Sequence, residues 1–229
     1  VSMDYDILLT MSREGECTQL VRMVENHKVD GVILMRTFTK DIHIEYLKSQ
    51  GIPFVTVGST HYKDVIQVDN DHRSACRELI SILLMKKMNR IGLIGGIESH
   101  VVTQNRLKGY MEAHEQAGIA VIPEIIFVNV EKEIMIERAV EKLLLEDVDC
   151  IACLDDAVCM HVLNKLRKEK ISIPEELKVL SFYDSSILEN NLPTIISLYF
   201  NARELGMVAC KILLDLIEGN RVRQRTLLG

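Results

Sequence analysis

Short apolar runs alternate along the chain with longer amphipathic segments. The apolar runs predict strands at residues 6–10, 32–35, 54–57, 91–94, 125–128, 150–154, 178–182 and 195–199. The amphipathic segments predict helices at residues 17–28, 41–49, 71–85, 103–116, 134–145, 157–168 and 202–216. Strands that are apolar throughout, rather than at alternate positions, are typical of parallel sheets with helices on both faces. The pattern therefore predicts the α/β fold class.

An internal repeat indicates two lobes of the same architecture. A Val-Asp pair at 29–30 precedes a strand, a helix, a Gly-Ile-Pro turn at 51–53 and a second strand. A Val-Asp pair at 148–149 precedes the same series, in which the turn is Ser-Ile-Pro at 172–174. We therefore expect two Rossmann-like lobes with parallel sheets, one built from residues 1–68 and 190–218, the other from residues 69–189 and 219–229.

The composition is that of a globular protein. Hydrophobic residues make up 48% of the chain and charged residues 26%, which excludes a disordered or collagen-like chain. No apolar run approaches the length of a membrane helix, so we expect no membrane contact. The net charge of −6 is unfavourable for binding nucleic-acid phosphates, which requires a basic face. We therefore expect no sequence-specific DNA binding by this chain alone.

Four possible metal ligands lie close together in the sequence, namely Cys150, Cys153, Cys159 and His161. Residues three apart on a strand point to opposite faces of the sheet, and residues two apart on a helix do not share a face. We therefore expect buried thiols rather than a metal site, and we expect no cofactor. The six cysteines, with no signal peptide visible at the start, favour a reducing, cytoplasmic location.

Polar residues follow the predicted strands at the positions where open parallel sheets bind ligands. These residues are Arg36-Thr37, Gly58-Ser59-Thr60, Gly95-Gly96, Asn129, Asp155-Asp156 and Tyr183-Asp184-Ser185. Their hydroxyl, carboxylate and amide groups suit a polyhydroxylated small molecule better than a lipid or an apolar peptide.

Arg106 and the pair Asp155-Asp156 each have two interpretations. Arg106 falls in the first turn of the predicted helix, where the helix macrodipole disfavours a cation. It therefore either binds a partner such as a ligand or is a solvated surface arginine paired with a nearby acid. One of the two aspartates is expected to cap the following helix. The other is then available to accept hydrogen bonds from ligand hydroxyls.

The sequence contains none of the common nucleotide-binding or hydrolytic motifs. Gly92, Gly95 and Gly96 do not form a G-x-G-x-x-G pattern, and neither a P-loop nor a Gly-x-Ser-x-Gly motif occurs. No nucleophile and base are recognisable together, so we expect no catalytic residues and no enzyme activity. An α/β enzyme nevertheless remains an alternative, because a fold alone does not determine function.

A series of motifs along nearly the whole chain resembles the lactose-repressor/galactose-repressor (LacI/GalR) family of bacterial transcription regulators. The motifs are residues 29–34 (VDGVIL), 51–55 (GIPFV), 68–70 (VDN), 91–96 (IGLIGG), 106–110 (RLKGY), 153–156 (CLDD), 179–184 (VLSFYD), 192–195 (LPTI) and 205–206 (LG). No single motif is specific for the family. The whole set, with compatible spacing along the chain, is specific for it. The resemblance is to the effector-binding core of the family and implies a type I periplasmic-binding-protein-like fold.

The resemblance implies the sugar-sensing core of an allosteric repressor of carbohydrate-utilisation genes, which responds by ligand-dependent lobe closure. It implies a cytoplasmic homodimer with helices near 41–49 and 202–216 at the interface. Operator DNA is bound in this family through an N-terminal helix-turn-helix domain, which we do not recognise in this sequence. The first strand and helix of the family's core also have no counterpart ahead of Asp4. A transport or chemotaxis sugar-binding protein of the same fold is the main alternative.

Five ligand-binding positions follow from the resemblance. The effector-binding arginine of the family falls on Arg106, and the polar residue of its A-x-[ND]-D turn falls on Asp155. The F-D-D motif falls on residues that include Tyr183 and Asp184, and Gly58 stands where many sugar-binding members have a carboxylate. Gly58 and Tyr183 thus remove two anionic acceptors, while a tyrosine ring offers a flat face. We therefore expect a larger glycoside or a phosphorylated sugar rather than a plain hexose.

Overall fold

The computed structural model describes residues 5–12, 14–189 and 191–229. Its helices are α1 (Thr18–Glu25), α2 (Ile42–Gln50), α3 (His72–Met85), α4 (Val101–Ala117), α5 (Glu133–Leu145), α6 (Asp156–Lys168), α7 (Ser186–Glu189) and α8 (Ala202–Ile217). Its strands are β1 (Val32–Leu34), β2 (Phe54–Val57), β3 (Gln67–Asn70), β4 (Ile91–Ile94), β5 (Ile126–Phe127), β6 (Cys150–Cys153), β7 (Lys178–Ser181), β8 (Ile196–Ser197) and β9 (Arg225–Leu228). The predicted α/β class, with two parallel sheets, is confirmed.

The chain divides into two compact units. The first unit extends to Val68 and includes Gly206–Thr226, whereas the second consists of Asp69–Leu205 and Leu227–Gly229. No helix in the described part of the chain has the length and apolar character that a membrane span requires.

Two segments lie in the other unit from the one that the sequence predicts. Residues 191–205 belong to the second unit, because β8 pairs in parallel with β7 and so extends the second sheet. Residues 219–226 belong to the first unit, where the Gln67 N–H donates to the Gln224 carbonyl over 2.9 Å. Residue 190, at the predicted boundary, lies outside the described residues.

The first unit is built on a sheet with the strand order β1-β2-β3-β9, in which β1, β2 and β3 are parallel. Leu20 and Val24 of α1 pack with Leu47 of α2 in its apolar core. The side chain of Asp41 caps α2 by accepting hydrogen bonds from the N–H groups of His43 and Ile44. The predicted helix at 41–49 is therefore confirmed, one residue further along.

The predicted strand at 6–10 is wrong, since residues 5–12 have no regular secondary structure. Ile7, Leu9 and Met11 are 88%, 83% and 89% exposed. A strand requires a neighbour that pairs with its backbone groups, and no described residue pairs with this segment as a strand. An apolar run alone does not reveal whether that neighbour exists.

The second unit is built on a parallel sheet with the strand order β5-β4-β6-β7-β8. Ile151 and Cys153 of β6 pack under α5 and α6, whereas Cys150 and Ala152 of the same strand pack under α3 and α4. Both faces of β6 are therefore buried, which is why its sequence is apolar throughout. The carboxyl ends of β4, β6 and β7 meet at one edge of this sheet.

Candidate functional site

Arg106 lies at the carboxyl edge of the second sheet. α4 begins at Val101, two residues before its predicted start. Arg106 is therefore in the second turn, and the macrodipole argument for a partner does not apply, since that effect fades after the first turn. Its side chain is buried, and Nη1 donates to the backbone carbonyl of Leu154, which directly follows β6. The interpretation as a solvated surface arginine is wrong.

The buried guanidinium of Arg106 has unused hydrogen-bonding capacity. Its Nε atom is buried and has no hydrogen-bond partner among the described residues. Burial lowers the pKa of Arg106, while negative charge at Asp155 and Asp69 opposes that shift. Because a buried charge is costly unless it is paired, this residue is suited to gain stabilisation from a ligand that accepts hydrogen bonds.

Asp155 is the aspartate that caps α6, since its Oδ1 accepts a hydrogen bond from the Val158 N–H over 2.8 Å. Asp156 is the first residue of α6, and its Oδ2 accepts a hydrogen bond from the Ser185 hydroxyl. A carboxylate has two oxygens and several lone pairs. The cap therefore leaves Asp155 with acceptor capacity at the same edge as Arg106.

Replacing Asp155 by alanine is expected to destabilise the protein by about 1 kcal/mol, because the cap of α6 is lost. Asp155→Ser is expected to retain most of this stability, because a serine hydroxyl is an equally good cap acceptor. Urea unfolding of both variants measures the difference. Equal stability of Asp155→Ala and the parent chain would show that the cap contributes nothing to folding.

Tyr183 follows β7 and lies against Arg106, whose Cζ is 5.6 Å from the centroid of the Tyr183 ring. This distance permits a cation–π interaction. Asp184 is held beside it, since its N–H donates to the Leu198 carbonyl over 2.9 Å. The structure therefore brings Arg106 to the sheet edge at which the strand ends predict Asp155, Tyr183 and Asp184.

Two residues of this edge are missed by the sequence analysis. The centroid of the Phe200 ring lies 6.4 Å from that of the Tyr183 ring, and the two rings are inclined by 19°. The same centroid lies 4.5 Å from that of the His72 ring, and these two rings are inclined by 67°. Burial, and then the positive charge of Arg106, lower the pKa of His72 to about 3, so the imidazole is neutral. Phe200 directly follows the strand predicted at 195–199. In open parallel sheets, ligand-binding residues follow the strands. This expectation would have identified Phe200 if the strand had been assigned to the second lobe.

Gly58 lies in the first unit, directly after β2. Its φ of 119° is one that residues with side chains rarely adopt. A Cβ atom at this position would lie 3.2 Å from the Thr37 hydroxyl, and that hydroxyl donates to the Ser59 carbonyl over 2.6 Å. The structure thus assembles Thr37, Gly58 and Ser59, all predicted strand-end residues, without a carboxylate at Gly58.

The three cysteines considered as metal ligands, Cys150, Cys153 and Cys159, are buried as predicted, whereas Cys17 is half-buried and Cys210 is exposed. Cys150 packs on one face of the second sheet, while Cys153 and Cys159 pack on the other. Burial raises the pKa of Cys150 to about 12, so it is a neutral thiol. Within residues 5–12, 14–189 and 191–229, no group of three or more His, Cys, Asp or Glu residues could hold a metal ion.

The first unit contains a Ser-His-Asp series that the sequence does not reveal. The Ser12 hydroxyl lies 3.0 Å from Nε2 of His43, and Nδ1 of His43 lies 3.2 Å from Asp41. Nε2 also lies 2.9 Å from the Glu16 carbonyl, an acceptor that requires a proton on this nitrogen. His43 therefore cannot take the proton of Ser12 as a general base does. The series instead holds the residues before α1 against α2.

The stability of the first unit is expected to fall as the pH rises through neutrality. The hydrogen bond to Asp41 raises the pKa of His43 above 6.5 despite its burial. This contribution is fully present below about pH 6.5 and is lost as the pH rises through the raised pKa. His43→Gln should remove this dependence, as monitored by urea unfolding between pH 6 and 9 (about the range of a perturbed histidine). If the stability of the parent chain and that of the variant change with pH in the same way, the assignment is contradicted.

Comparison with known proteins places the chain in a family. A model of the periplasmic binding protein-like domain matches residues 80–228. The chain is 23% identical over 206 residues to the HTH-type transcriptional regulator MalR of Staphylococcus xylosus, a match that covers 89% of this chain and 60% of that protein. The chain thus spans about 60% of the length of this relative.

Solved structures agree with this family. A LacI transcriptional regulator from Bacillus cereus subsp. cytotoxis NVH 391-98 is 28% identical, with a TM-score of 0.89 over 96% of this chain and 80% of that chain. The regulator CelR in complex with cellobiose is 26% identical, with a TM-score of 0.83 over 92% of this chain and 66% of that chain. The chain therefore belongs to the periplasmic binding protein-like domain family and has the core fold of LacI/GalR transcription regulators.

Proposed function

We propose that this chain is the effector-sensing core of a bacterial transcription regulator, which acts inside the cell as a repressor of carbohydrate-utilisation genes. The observation that carries the proposal is the buried Arg106 with its unsatisfied Nε, at a strand edge that also holds Asp155. The relatives are transcriptional regulators, and one solved neighbour is bound to cellobiose.

The residues at this edge suit a ligand with several hydroxyl groups. The guanidinium of Arg106 supplies N–H donors in a fixed plane, and the carboxylate of Asp155 supplies acceptors. A hydroxyl group both donates and accepts, so adjacent hydroxyls of a sugar match a donor and an acceptor held side by side. Asp184 adds a second carboxylate at the same edge, where its N–H donates to the Leu198 carbonyl.

Signalling requires that the effector bind one conformation more tightly than another. We propose that effector binding closes the two units as lobes, as the family resemblance implies. Small-angle X-ray scattering with and without the effector should then record a smaller radius of gyration for the bound chain. An unchanged radius at saturation would contradict lobe closure while leaving effector binding intact.

The remaining partners follow from the same proposal. The protein acts as a homodimer and reaches operator DNA through a helix-turn-helix domain outside these residues, and no residue here has a catalytic role. Sedimentation of the purified chain tests the dimer. A gel-shift assay at physiological salt tests the expectation that this acidic chain alone does not bind DNA specifically.

A thermal-shift screen tests the central proposal. A bound ligand raises the melting temperature, because it stabilises the folded state by RT ln(1 + [L]/Kd). The screen uses glucose, maltose, cellobiose, trehalose, glucose 6-phosphate and trehalose 6-phosphate on the parent chain and on Arg106→Ala. Stabilisation of the parent chain alone supports the proposal. Equal shifts for both proteins, or none from any of these compounds, count against it.

A further inference from the structure

We propose that the site on the second unit selects a neutral glycoside over a sugar phosphate, and that Phe200 is its specificity-determining residue. This inference rests on the proposed function, since it names the class of effector that the same site binds. The sequence leaves open whether the effector is a larger glycoside or a phosphorylated sugar, and this inference selects the glycoside.

The charges at the sheet edge disfavour a phosphate. Arg106 provides one buried positive charge, and Asp155 and Asp69 are the carboxylates whose charge acts on it most strongly. Nε2 of the buried His72 lies 3.5 Å from Oδ1 of Asp69, and burial, and then the charge of Arg106, lower the pKa of His72 to about 3. The imidazole is therefore neutral and offers a phosphate no second cation. A phosphate beside Arg106 would therefore face two carboxylates in a partly buried setting, where repulsion between like charges is strong. A neutral ligand avoids this repulsion.

Three aromatic rings form a cluster beside Arg106. The Phe200 ring is stacked nearly parallel to the Tyr183 ring. It meets the His72 ring at a steep angle, in an edge-on arrangement. His72 is buried, whereas Tyr183 and Phe200 are half-buried and so retain exposed surface. The exposed part of the cluster is therefore the Tyr183–Phe200 pair.

A sugar ring matches this arrangement because its C–H groups form an apolar face while its hydroxyls lie at the edge. Packing of the apolar face on Phe200 removes aromatic and C–H surface from water. Hydroxyls at the edge of the same ligand can then bond to Arg106 and Asp155. A glycoside with a second ring gains more from an extended aromatic surface than a single hexose does.

Titration calorimetry with paired probes tests the selection. Trehalose is compared with trehalose 6-phosphate, and glucose with glucose 6-phosphate, while maltose and cellobiose extend the neutral set. We expect the best ligand to be a neutral disaccharide, and each phosphate to bind at least about tenfold more weakly than its neutral partner. Tighter binding of either phosphate than of its neutral partner would overturn the inference.

Variants at Phe200 test its role. Phe200→Leu keeps an apolar side chain without a ring and should weaken binding of the best neutral glycoside by about tenfold. Phe200→Trp keeps a ring and should retain the affinity, which guards against a folding defect as the explanation. Tyr199→Ala is the matched control, since Tyr199 is the adjacent aromatic residue, is 75% exposed and makes no ring contact with a described residue.

The outcomes separate this inference from the proposed function. If Phe200→Leu binds the glycoside as tightly as the parent chain, the role of Phe200 is excluded, while a loss of binding in Arg106→Ala still supports effector sensing. If Tyr199→Ala weakens binding as much as Phe200→Leu, the effect is not specific to the cluster and the inference fails. If no sugar or sugar phosphate binds to the parent chain, both the inference and the proposed function fail.

Discussion

Arg106→Ala is expected to lower the affinity for the effector by at least about a hundredfold, because hydrogen bonds to a charged group contribute roughly 1.5–3 kcal/mol each. The fold should remain nearly intact. The substitution removes a buried charge that is costly to desolvate, but it also leaves the Leu154 carbonyl without this donor and takes a nearby cation from the buried Asp69. We therefore expect a lower stability without loss of the fold. Calorimetry with the ligand found in the screen measures the affinity, and thermal unfolding measures the stability.

A second measurement reports on the same substitution without any ligand. The positive charge of Arg106 is the second cause, after burial, of the low pKa of His72. Removing this charge should therefore raise the pKa of His72, as measured by NMR titration of its ring protons. Arg106→Lys retains the charge but not the planar fork. It should weaken effector binding while changing the pKa of His72 much less.

Two results would contradict the assignment of Arg106. An unchanged affinity in Arg106→Ala would remove it from the binding site, even though the residue is buried at the right sheet edge. An unchanged pKa of His72 in the same variant would show that the two side chains do not interact as the structure indicates. In the second case Arg106 could still bind the effector, so the two measurements are independent.

The sheet edge could be predicted because it depends on local sequence. Each strand of the second sheet ends where its apolar run ends, and in a parallel sheet those ends meet. The sequence alone therefore predicts that Asp155 and Tyr183, which follow β6 and β7, lie close together. This rule does not cover Arg106, which lies on a helix. The sequence singles it out by its predicted position in the first turn of that helix, and the family resemblance then assigns it to the effector.

The errors concern pairing between distant segments. The run at 6–10 is as apolar as a buried strand, yet it pairs with no described strand. The strand predicted at 195–199 is confirmed in part, as β8 (Ile196–Ser197), but its predicted assignment to the first lobe excludes Phe200 from the candidate site. Both errors have one physical cause, since the partner of a strand is chosen by contacts far away in the sequence.

The exact start of a helix determines whether a charged residue lies in its first turn or at its cap, and this start is hard to predict from sequence. The predicted start of α4 at 103 places Arg106 in the first turn, whereas the observed start at Val101 places it in the second. The macrodipole argument for Arg106 therefore depends on a predicted helix start that lies two residues after the observed one. For Asp155 the boundary was predicted closely, and the structure identifies it as the cap.

Gly109→Ala is expected to destabilise the second unit by about 2 to 3 kcal/mol, the effect of overpacking a closely packed contact. A Cβ atom at Gly109 of α4 would overlap the backbone carbonyl of Arg73 and would lie 3.0 Å from both Arg77 N and Cys76 Cβ of α3. Two of these three atoms belong to the backbone, so the helices themselves must separate. The intrinsic preference of alanine for helices, about 1 kcal/mol over glycine, acts in the opposite direction and is outweighed.

Gly206→Ala is the matched control, because Gly206 also lies inside a helix, α8, but a Cβ atom there would meet nothing within 4 Å. It should leave stability unchanged or raise it by up to about 1 kcal/mol. Thermal unfolding separates the two variants, since each kcal/mol corresponds to roughly 2–4 °C in a chain of this size. If both glycine substitutions raise the melting temperature, α3 and α4 do not approach as closely as the structure describes, and Gly109 has no packing role.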